Sequence, residues 1–287
     1  GGMLGDLSSI SSPQLGAIAI AAALESSGLN SCQIDEVIMG CVLSAGLGQA
    51  PSRQAALSAG LDLNTACTSV NKVCGSGMSA VTIACNALRS EQSEIIIAGG
   101  MENMSRAPHL LPLAREGYRF GDRQLVDHMQ IDGLQDAFKS LSMGQFAEDC
   151  AAKYKFSRKD QDAFALESLK RAKRAIEQGL FKAEIVPVSV ANKNIQVSVE
   201  NDQQPLSANP EKIPKLRPAF TKDGTVTAAN ASSISDGAAA ITLMLASKAA
   251  ALNLKPIALI HGYDQSAHEP EWFTTAPITA IKKTLNR

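Results

Sequence analysis

The stretch Asn71-Lys72-Val73-Cys74-Gly75-Ser76-Gly77-Met78-Ser79-Ala80 places one thiol where a turn becomes a helix. Glycines at 75 and 77 permit unusual backbone dihedrals, and residues 78–88 (MSAVTIACNAL) have the small and apolar side chains of a buried helix. Cys74 is therefore expected at or just before a helix N-terminus. The unpaired N–H groups and the positive dipole end there favour a thiolate, the nucleophilic form of cysteine. The alternative is that Cys74 is only a small buried hydrophobic residue, as unpaired cysteines often are.

The length and charge of the chain favour small-molecule chemistry. A chain of 287 residues is long enough for roughly two domains with sizeable cores. Its 27 Lys and Arg nearly balance its 28 Asp and Glu, so no basic surface is expected that would bind nucleic acid by charge alone. A membrane-spanning helix needs about 20 apolar residues, and no apolar run approaches that length. We therefore expect neither nucleic acid nor a membrane as a partner.

The six cysteines indicate a reduced, cytoplasmic environment. They include no C-x-x-C pair and no pairing with a nearby histidine at zinc-ligand spacing, so no metal site is expected. The segment 1–7 has neither a basic region nor an apolar core, and it does not have the pattern of a signal peptide.

Helices alternate with apolar strands in the first hundred residues, which predicts a mostly parallel sheet covered on both faces. Predicted helices cover 14–27, 52–59 and the segment after Cys74, and predicted strands cover 34–42 and 94–98, the second ending at Gly99-Gly100. Residues 108–218 change to polar loops, helices at 142–154 and 158–178, strands at 185–190 and 195–199, and a loop at 201–214. This region is interpreted as an insertion. Strands are then expected at 225–229, 240–245 and 257–263, and helices at 248–252 and 277–285.

Four motifs spread in order over most of the chain resemble those of the thiolases, which make or cleave 3-ketoacyl-CoA thioesters. They are the cysteine segment quoted above, residues 98–105 (AGGMENMS), residues 132–134 (DGL) and residues 230–240 (NASSISDGAAA). The resemblance implies an α/β fold with a layered αβαβα core and an inserted α+β loop domain. Its implied boundaries are 1–106 with 219–248 for the first core half, 107–218 for the loop domain, and 249–287 for the start of an incomplete second half.

The resemblance also implies a reaction and a binding site. Cys74 matches the family nucleophile, which carries an acyl group between two CoA thioesters. The implied substrates are acetyl-CoA, acetoacetyl-CoA and CoA, with no cofactor and with a place in fatty-acid metabolism. The positions that match the pantetheine tunnel of the family are Leu134, Met143, Ala219, Phe220, Ala228 and Ser232.

The sequence also departs from the family pattern. The motifs N-E-A-F-A, G-H-P and C-x-G-G-G, which supply the activating base and a second cysteine, do not occur in it, so the chain as given is expected to be inactive. His109, His128, His261 and His268 lack the family context and are expected to be structural or on the surface. Ser142 stands where biosynthetic members usually have a histidine.

Several alternatives remain open at this point. A degradative 3-ketoacyl-CoA thiolase is the nearest, and a non-catalytic CoA-binding module is an alternative of another class. A ketoacyl synthase of the same broad fold is a weaker one, because the stretch 99–105 favours a thiolase. Family members are dimers or tetramers, so a homodimer or homotetramer is expected.

Overall fold

The computed structural model describes residues 1–192 and 195–287. Its strands are β1 (Glu36–Gly40), β2 (Ala66–Val70), β3 (Ile95–Asn103), β4 (His109–Leu110), β5 (Val126–Asp127), β6 (Val188–Asn192), β7 (Ile195–Val199) and β8 (Asp236–Met244). Its α-helices are α1 (Ser12–Ser27), α2 (Pro51–Ser58), α3 (Ser76–Arg89), α4 (Met143–Tyr154), α5 (Arg158–Glu177), α6 (Gln203–Ser207), α7 (Ala246–Ala251) and α8 (Ala276–Leu285). Within the described ranges, no helix has the length and apolarity needed to cross a membrane.

The chain divides into two compact units. The first comprises Gly1–Gly133, Val186–Glu200 and Ile234–Ile257, and the second comprises Leu134–Ile185, Asn201–Ser233 and Ala258–Arg287. The domain boundaries expected from the sequence stay a prediction.

A four-stranded sheet in the order β2-β1-β3-β8 forms the centre of the first unit. Strands β2, β1 and β3 are parallel, and β8 pairs antiparallel with β3. On one face, Val37, Met39 and Ile97 pack with residues of α1 and α2. On the other face, Ile38 and Ile96 pack with the alanines of α3. The alternation along β1 and β3 therefore buries both faces of these two strands, as the sequence predicts.

Strand β3 is longer than predicted. The sequence prediction ends it at Gly99-Gly100, whereas the strand continues to Asn103 with β8 paired along its whole length. A Cβ atom added to Gly99 would lie 2.0 Å from the carbonyl oxygen of Ala239. The glycine is therefore not a strand terminator here, because its missing side chain lets the backbone of β8 come close.

Other predicted elements were also wrong. Residues 225–229 form no strand. The Asn230 carboxamide oxygen accepts a bond from the Thr227 amide, and the Thr227 hydroxyl accepts one from the Ala229 amide. Such local side-chain bonds compete with a strand ladder. Residues 257–263 form no strand, and the predicted loop at 201–214 contains α6 and a 3₁₀ helix (Pro210–Lys215). Strand β8 begins before residue 240 and is largely half-buried or exposed rather than buried.

Polar side chains define the helices of the second unit. Ser142 and Ser157 start α4 and α5 with capping boxes completed by Gln145 and Asp160. Arg158 donates to the carbonyl oxygens of Ile213 and Leu216 at 3.2 and 2.9 Å, which attaches the 3₁₀ segment to α5. Lys153 lies 3.8 Å from the centroid of the Trp272 ring, a cation–π contact between α4 and the segment before α8.

We predict that Gly99→Ala destabilises the first unit. The new methyl group would overlap the backbone of β8, and such overpacking typically costs about 1–3 kcal/mol of unfolding free energy. Gly237→Ala is the matched control on β8, because a Cβ there meets nothing within 4 Å. Urea unfolding of both variants measures the difference, and equal stabilities would contradict the proposed close approach of β3 and β8.

Candidate active site

Cys74 lies in a turn that is fixed on both sides. Gly75 donates its amide to the carbonyl oxygen of Lys72 at 3.1 Å, and the Ser76 hydroxyl donates to the carbonyl oxygen of Val73 at 2.6 Å. The same hydroxyl accepts a bond from the Lys72 amide at 2.8 Å. Val73 has a φ of 48°, which is a strained conformation for a β-branched residue. Strain of this kind is concentrated at functional sites, and here it immediately precedes the thiol.

Helix α3 begins directly after the turn, as the sequence predicts. Its N-cap is Gly75, which contributes no side-chain bond, and its first turn has no acidic residue. The positive end of the helix dipole is therefore not neutralised from within the helix. Anionic groups such as a thiolate or an oxyanion are stabilised at such an end.

The start of α3 packs against the carboxyl end of the parallel strands, next to glycines. A Cβ on Gly40, the last residue of β1, would lie 2.6 Å from the carbonyl carbon of Ser76 and 2.7 Å from the amide nitrogen of Gly77. A Cβ on Gly77 would in turn meet the backbone of Gly99 at 3.8 Å. Ligands of α/β proteins bind at this end of the strands. The close contact at Gly40 therefore holds Cys74 where a substrate can approach.

The environment of Cys74 differs from that of three other cysteines. Its side chain is exposed. Burial raises the pKa of the Cys41 thiol to about 12, with a further contribution from the Glu102 carboxylate. Burial also raises the pKa of Cys67 and Cys85. These three thiols therefore remain protonated at neutral pH, which does not suit them to act as nucleophiles.

Two of the four motifs bind each other instead of contributing reactive groups. Ser105 donates its amide and its hydroxyl to the two carboxylate oxygens of Asp236, at 3.0 and 2.6 Å. Glu102 accepts bonds from the amides of Val42 and Leu43 at 2.8 and 3.2 Å. Burial raises the pKa of Glu102, and these two bonds oppose the rise. These motif residues therefore fix the loop after β1 and the start of β8.

His128 has the structural role that the sequence analysis gives it. The ring is buried, with Nδ1 2.5 Å from the Asp132 carboxylate and Nε2 3.4 Å from the amide of Ala45. Because Nε2 accepts the bond from the Ala45 amide, the ring proton is on Nδ1, and Nδ1 donates it in a hydrogen bond to the Asp132 carboxylate. Asp132 of the third motif is thus the partner of His128. His261 lies outside any strand, in contrast to the prediction.

The six predicted coenzyme-binding residues all belong to the second unit. An antiparallel bridge between Gln135 and Ser142 sets Leu134 opposite Met143. The ring of Phe220 covers Gly144, since a Cβ on that glycine would lie 2.3 Å from three ring atoms. Met143 is the residue next to Gly144 on α4.

The remaining predicted residues are on one connected segment. The amide of Ala219 donates to the carbonyl oxygen of Val226 at 2.9 Å and closes a loop around Phe220. Val226 and Thr227 are buried, whereas Ala219, Phe220, Ala228 and Ser232 are exposed. The segment thus presents the predicted residues on its accessible side. Their joint role with Cys74, which is in the first unit, stays a prediction.

Sequence reasoning gave no role to two polar residues that shape this segment. Glu148 on α4 binds the backbone at residues 225 and 226, and Asn230 binds Asp162 on α5 at 3.2 Å. Asn230 was part of a recognised motif, but Glu148 lies in an ordinary amphipathic helix and had no local signal. An open depression of about 480 Å³ next to Glu148 is lined by none of the six predicted residues.

The chain is similar to a family model, to curated proteins and to a solved structure. A family model described as "Thiolase, N-terminal domain" matches residues 1–247. The chain is 48% identical over 285 residues to an acetyl-CoA acetyltransferase of Chromobacterium violaceum, covering 99% of this chain and 73% of that relative. It is 46% identical over 287 residues to "Acetyl-CoA acetyltransferase ERG10, cytosolic" of Gibberella zeae, covering 99% and 72%. The crystal structure of the Acat5 thiolase from Ascaris suum in complex with coenzyme A matches with a TM-score of 0.94 and 40% identity, covering 99% and 73%.

We predict that native thiols react in a fixed order with iodoacetamide at pH 8. Cys74 should be labelled well before Cys41 and Cys85, because burial shields these two thiols from the reagent and raises their pKa. Labelling of Cys41 should increase only as the pH rises towards 12. Peptide mass spectrometry measures the rates, and denatured protein, in which every thiol reacts, is the control. Equal native rates at Cys74 and Cys41 would contradict this assignment.

Proposed function

Because the chain belongs to the thiolase family, we propose that it acts as an acetyl-CoA acetyltransferase. Two acetyl-CoA give acetoacetyl-CoA and CoA, or the reverse, through an acyl-cysteine on Cys74. The observation that carries the proposal is an exposed thiol in a strained turn at the start of α3. Of the two exposed cysteines, Cys32 and Cys74, only Cys74 lies just before the start of an α-helix, which suits it to nucleophilic attack.

The acylation step follows from the position of the thiol. The Cys74 thiolate attacks the thioester carbonyl carbon, and the carbonyl electron pair moves onto oxygen. The positive end of α3 stabilises charge of this sign. When the carbonyl re-forms, the carbon–sulfur bond to CoA breaks, and CoA leaves as a thiolate that takes up a proton. The acetyl group then remains on Cys74.

The CoA thioesters are substrates in this proposal, and no separate cofactor takes part. Leu134, Met143, Ala219, Phe220, Ala228 and Ser232 form the wall along which the pantetheine arm lies. The exposed side of the segment 219–232 supports this role, because small residues leave room and Phe220 offers an apolar surface.

We further propose that the 287 residues by themselves complete only the acylation step. The sequence has no N-E-A-F-A, G-H-P or C-x-G-G-G motif. In the family these supply the base that activates the nucleophilic cysteine and the second acid/base that the transfer to a second acetyl-CoA requires. One acylation is therefore expected for each chain, without continued turnover.

Release of CoA from acetyl-CoA tests both parts of the proposal. We expect a burst of one CoA per chain, followed by no steady phase. Cys74→Ser should abolish the burst, whereas Cys32→Ser, which alters another exposed cysteine, should retain it. A steady phase would contradict the expected lack of turnover. A full burst in Cys74→Ser would contradict the role of Cys74.

Two alternatives make different predictions in the same assay. A degradative 3-ketoacyl-CoA thiolase would give a faster burst with long-chain than with short-chain acyl-CoA, whereas our proposal predicts the reverse. A non-catalytic module would bind CoA and show no burst. The names of the two relatives favour the short-chain acetyltransferase.

A homodimer or homotetramer is part of the proposal. Strand β2 is at the edge of the central sheet, and exposed edges readily pair with another chain. The connection between β4 and β5 also exposes apolar side chains. They are Leu111 44%, Leu113 67%, Phe120 96% and Leu125 64% exposed. Exposed apolar patches of this kind favour association.

We predict that Phe120→Asp lowers the number of chains in the assembly. A carboxylate at this position would oppose burial of the β4–β5 connection between chains. Phe164→Asp is the matched control, because Phe164 is similarly exposed, at 80%, but lies on α5. Light scattering after size-exclusion chromatography gives the mass of each variant. Unchanged assembly in Phe120→Asp would remove this connection from the proposed interface.

A cytoplasmic location and a role in fatty-acid metabolism complete the proposal. All six cysteines are free, which suits a reducing compartment. The Gibberella zeae relative is named as cytosolic.

A further inference from the structure

We infer that Glu148 is a positioning residue for CoA, holding the loop 219–226 in the shape that the pantetheine arm requires. This inference rests on the proposed function, because it concerns how that substrate is held. Glu148 is on α4, and it contacts none of the reacting atoms in the proposal.

The Glu148 carboxylate accepts bonds from three donors of the loop. The Thr225 amide lies 2.9 and 2.8 Å from its two oxygens, the Thr225 hydroxyl lies at 3.0 Å, and the Val226 amide lies at 2.8 Å. Bonds to a charged acceptor are stronger than neutral ones. A single side chain thus satisfies two consecutive backbone amides in a segment that has no strand partner.

The loop is attached to α4 at two points on one helix face. Gly144 lies beneath the Phe220 ring, and Glu148, four residues later, binds the other end of the loop. Residues four apart are neighbours on a helix surface. The bond from Ala219 to Val226 joins the two ends. The orientation of the Phe220 ring therefore depends on the Glu148 carboxylate, although Phe220 is in the loop and Glu148 is on α4.

Gly224 shows how tightly the carboxylate fits. A Cβ on this residue would lie 2.1 Å from Oε1 of Glu148 and 2.4 Å from Oγ1 of Thr221. The backbone of the loop thus closes directly over the carboxylate. Any side chain at 224 would displace either the loop or Glu148.

The test is the affinity of the full chain for CoA in Glu148→Gln. A glutamine has one acceptor oxygen and places an NH₂ group among N–H donors, so the loop loses its anchor. We expect the dissociation constant for CoA, measured by calorimetry, to rise about five- to thirtyfold. The acetyl-CoA concentration that half-saturates Cys74 acetylation should rise in parallel, while the limiting acetylation rate stays within about twofold.

Asp149→Asn is the matched control. It removes the same charge from the next residue of α4, and Asp149 is exposed and makes no hydrogen bond to the loop within the described part of the chain. Its affinity for CoA should equal that of the unsubstituted chain. Gly224→Ala disturbs the same contact from the loop side, and we expect it to weaken CoA binding as Glu148→Gln does. Thermal unfolding of every variant verifies that the fold is retained.

The outcomes separate this inference from the proposed function. If the unsubstituted chain binds CoA and both Glu148→Gln and Gly224→Ala bind it equally well, the inference is wrong and the proposed function stands. If these variants lower the limiting rate without changing the half-saturating concentration, the positioning role is also wrong. If the unsubstituted chain does not bind CoA, the proposed function fails, and this inference fails with it.

Discussion

The contact between the backbone of β1 and the first turn of α3 is the constraint on which the rest of the site depends. It exists only because Gly40 has no side chain, since a Cβ there would lie 2.6 Å from the carbonyl carbon of Ser76 and 2.7 Å from the amide nitrogen of Gly77. The contact sets the height of α3 above the sheet, and with it the position of Cys74 at the carboxyl end of the parallel strands. Hydrophobic packing of the α3 alanines on Ile38 and Ile96 then fixes the rest of the helix.

The other motifs also contain residues that hold the structure around the site in place and supply no reactive group. Ser105 and Asp236 join the end of β3 to the start of β8, and Glu102 fixes the loop after β1. None of these residues needs to touch the substrate for the site to depend on them. The charged and polar groups of these motifs instead accept hydrogen bonds from backbone amides near the ends of the strands. In the second unit, Glu148 does the same for the Phe220 loop.

The sequence was most informative where local patterns decide the structure. The thiolase resemblance and the α/β fold, both predicted from four motifs, are confirmed by the family match and by the structural similarity. The start of α3 after Cys74 was predicted because glycines and a helical apolar pattern occur together. The extent of β3 was not, because a glycine pair in isolation indicates a turn, and only the approach of β8 makes it part of a strand. Glu148 could not be recognised either, since its partners at 225 and 226 are distant in sequence.

The most direct measurement is peptide mass spectrometry of the chain after incubation with acetyl-CoA. The account predicts a single acetyl group, carried by Cys74 as a thioester that hydroxylamine removes. An acetyl group confined to Cys32 or to lysine side chains, with Cys74 unmodified, would contradict it.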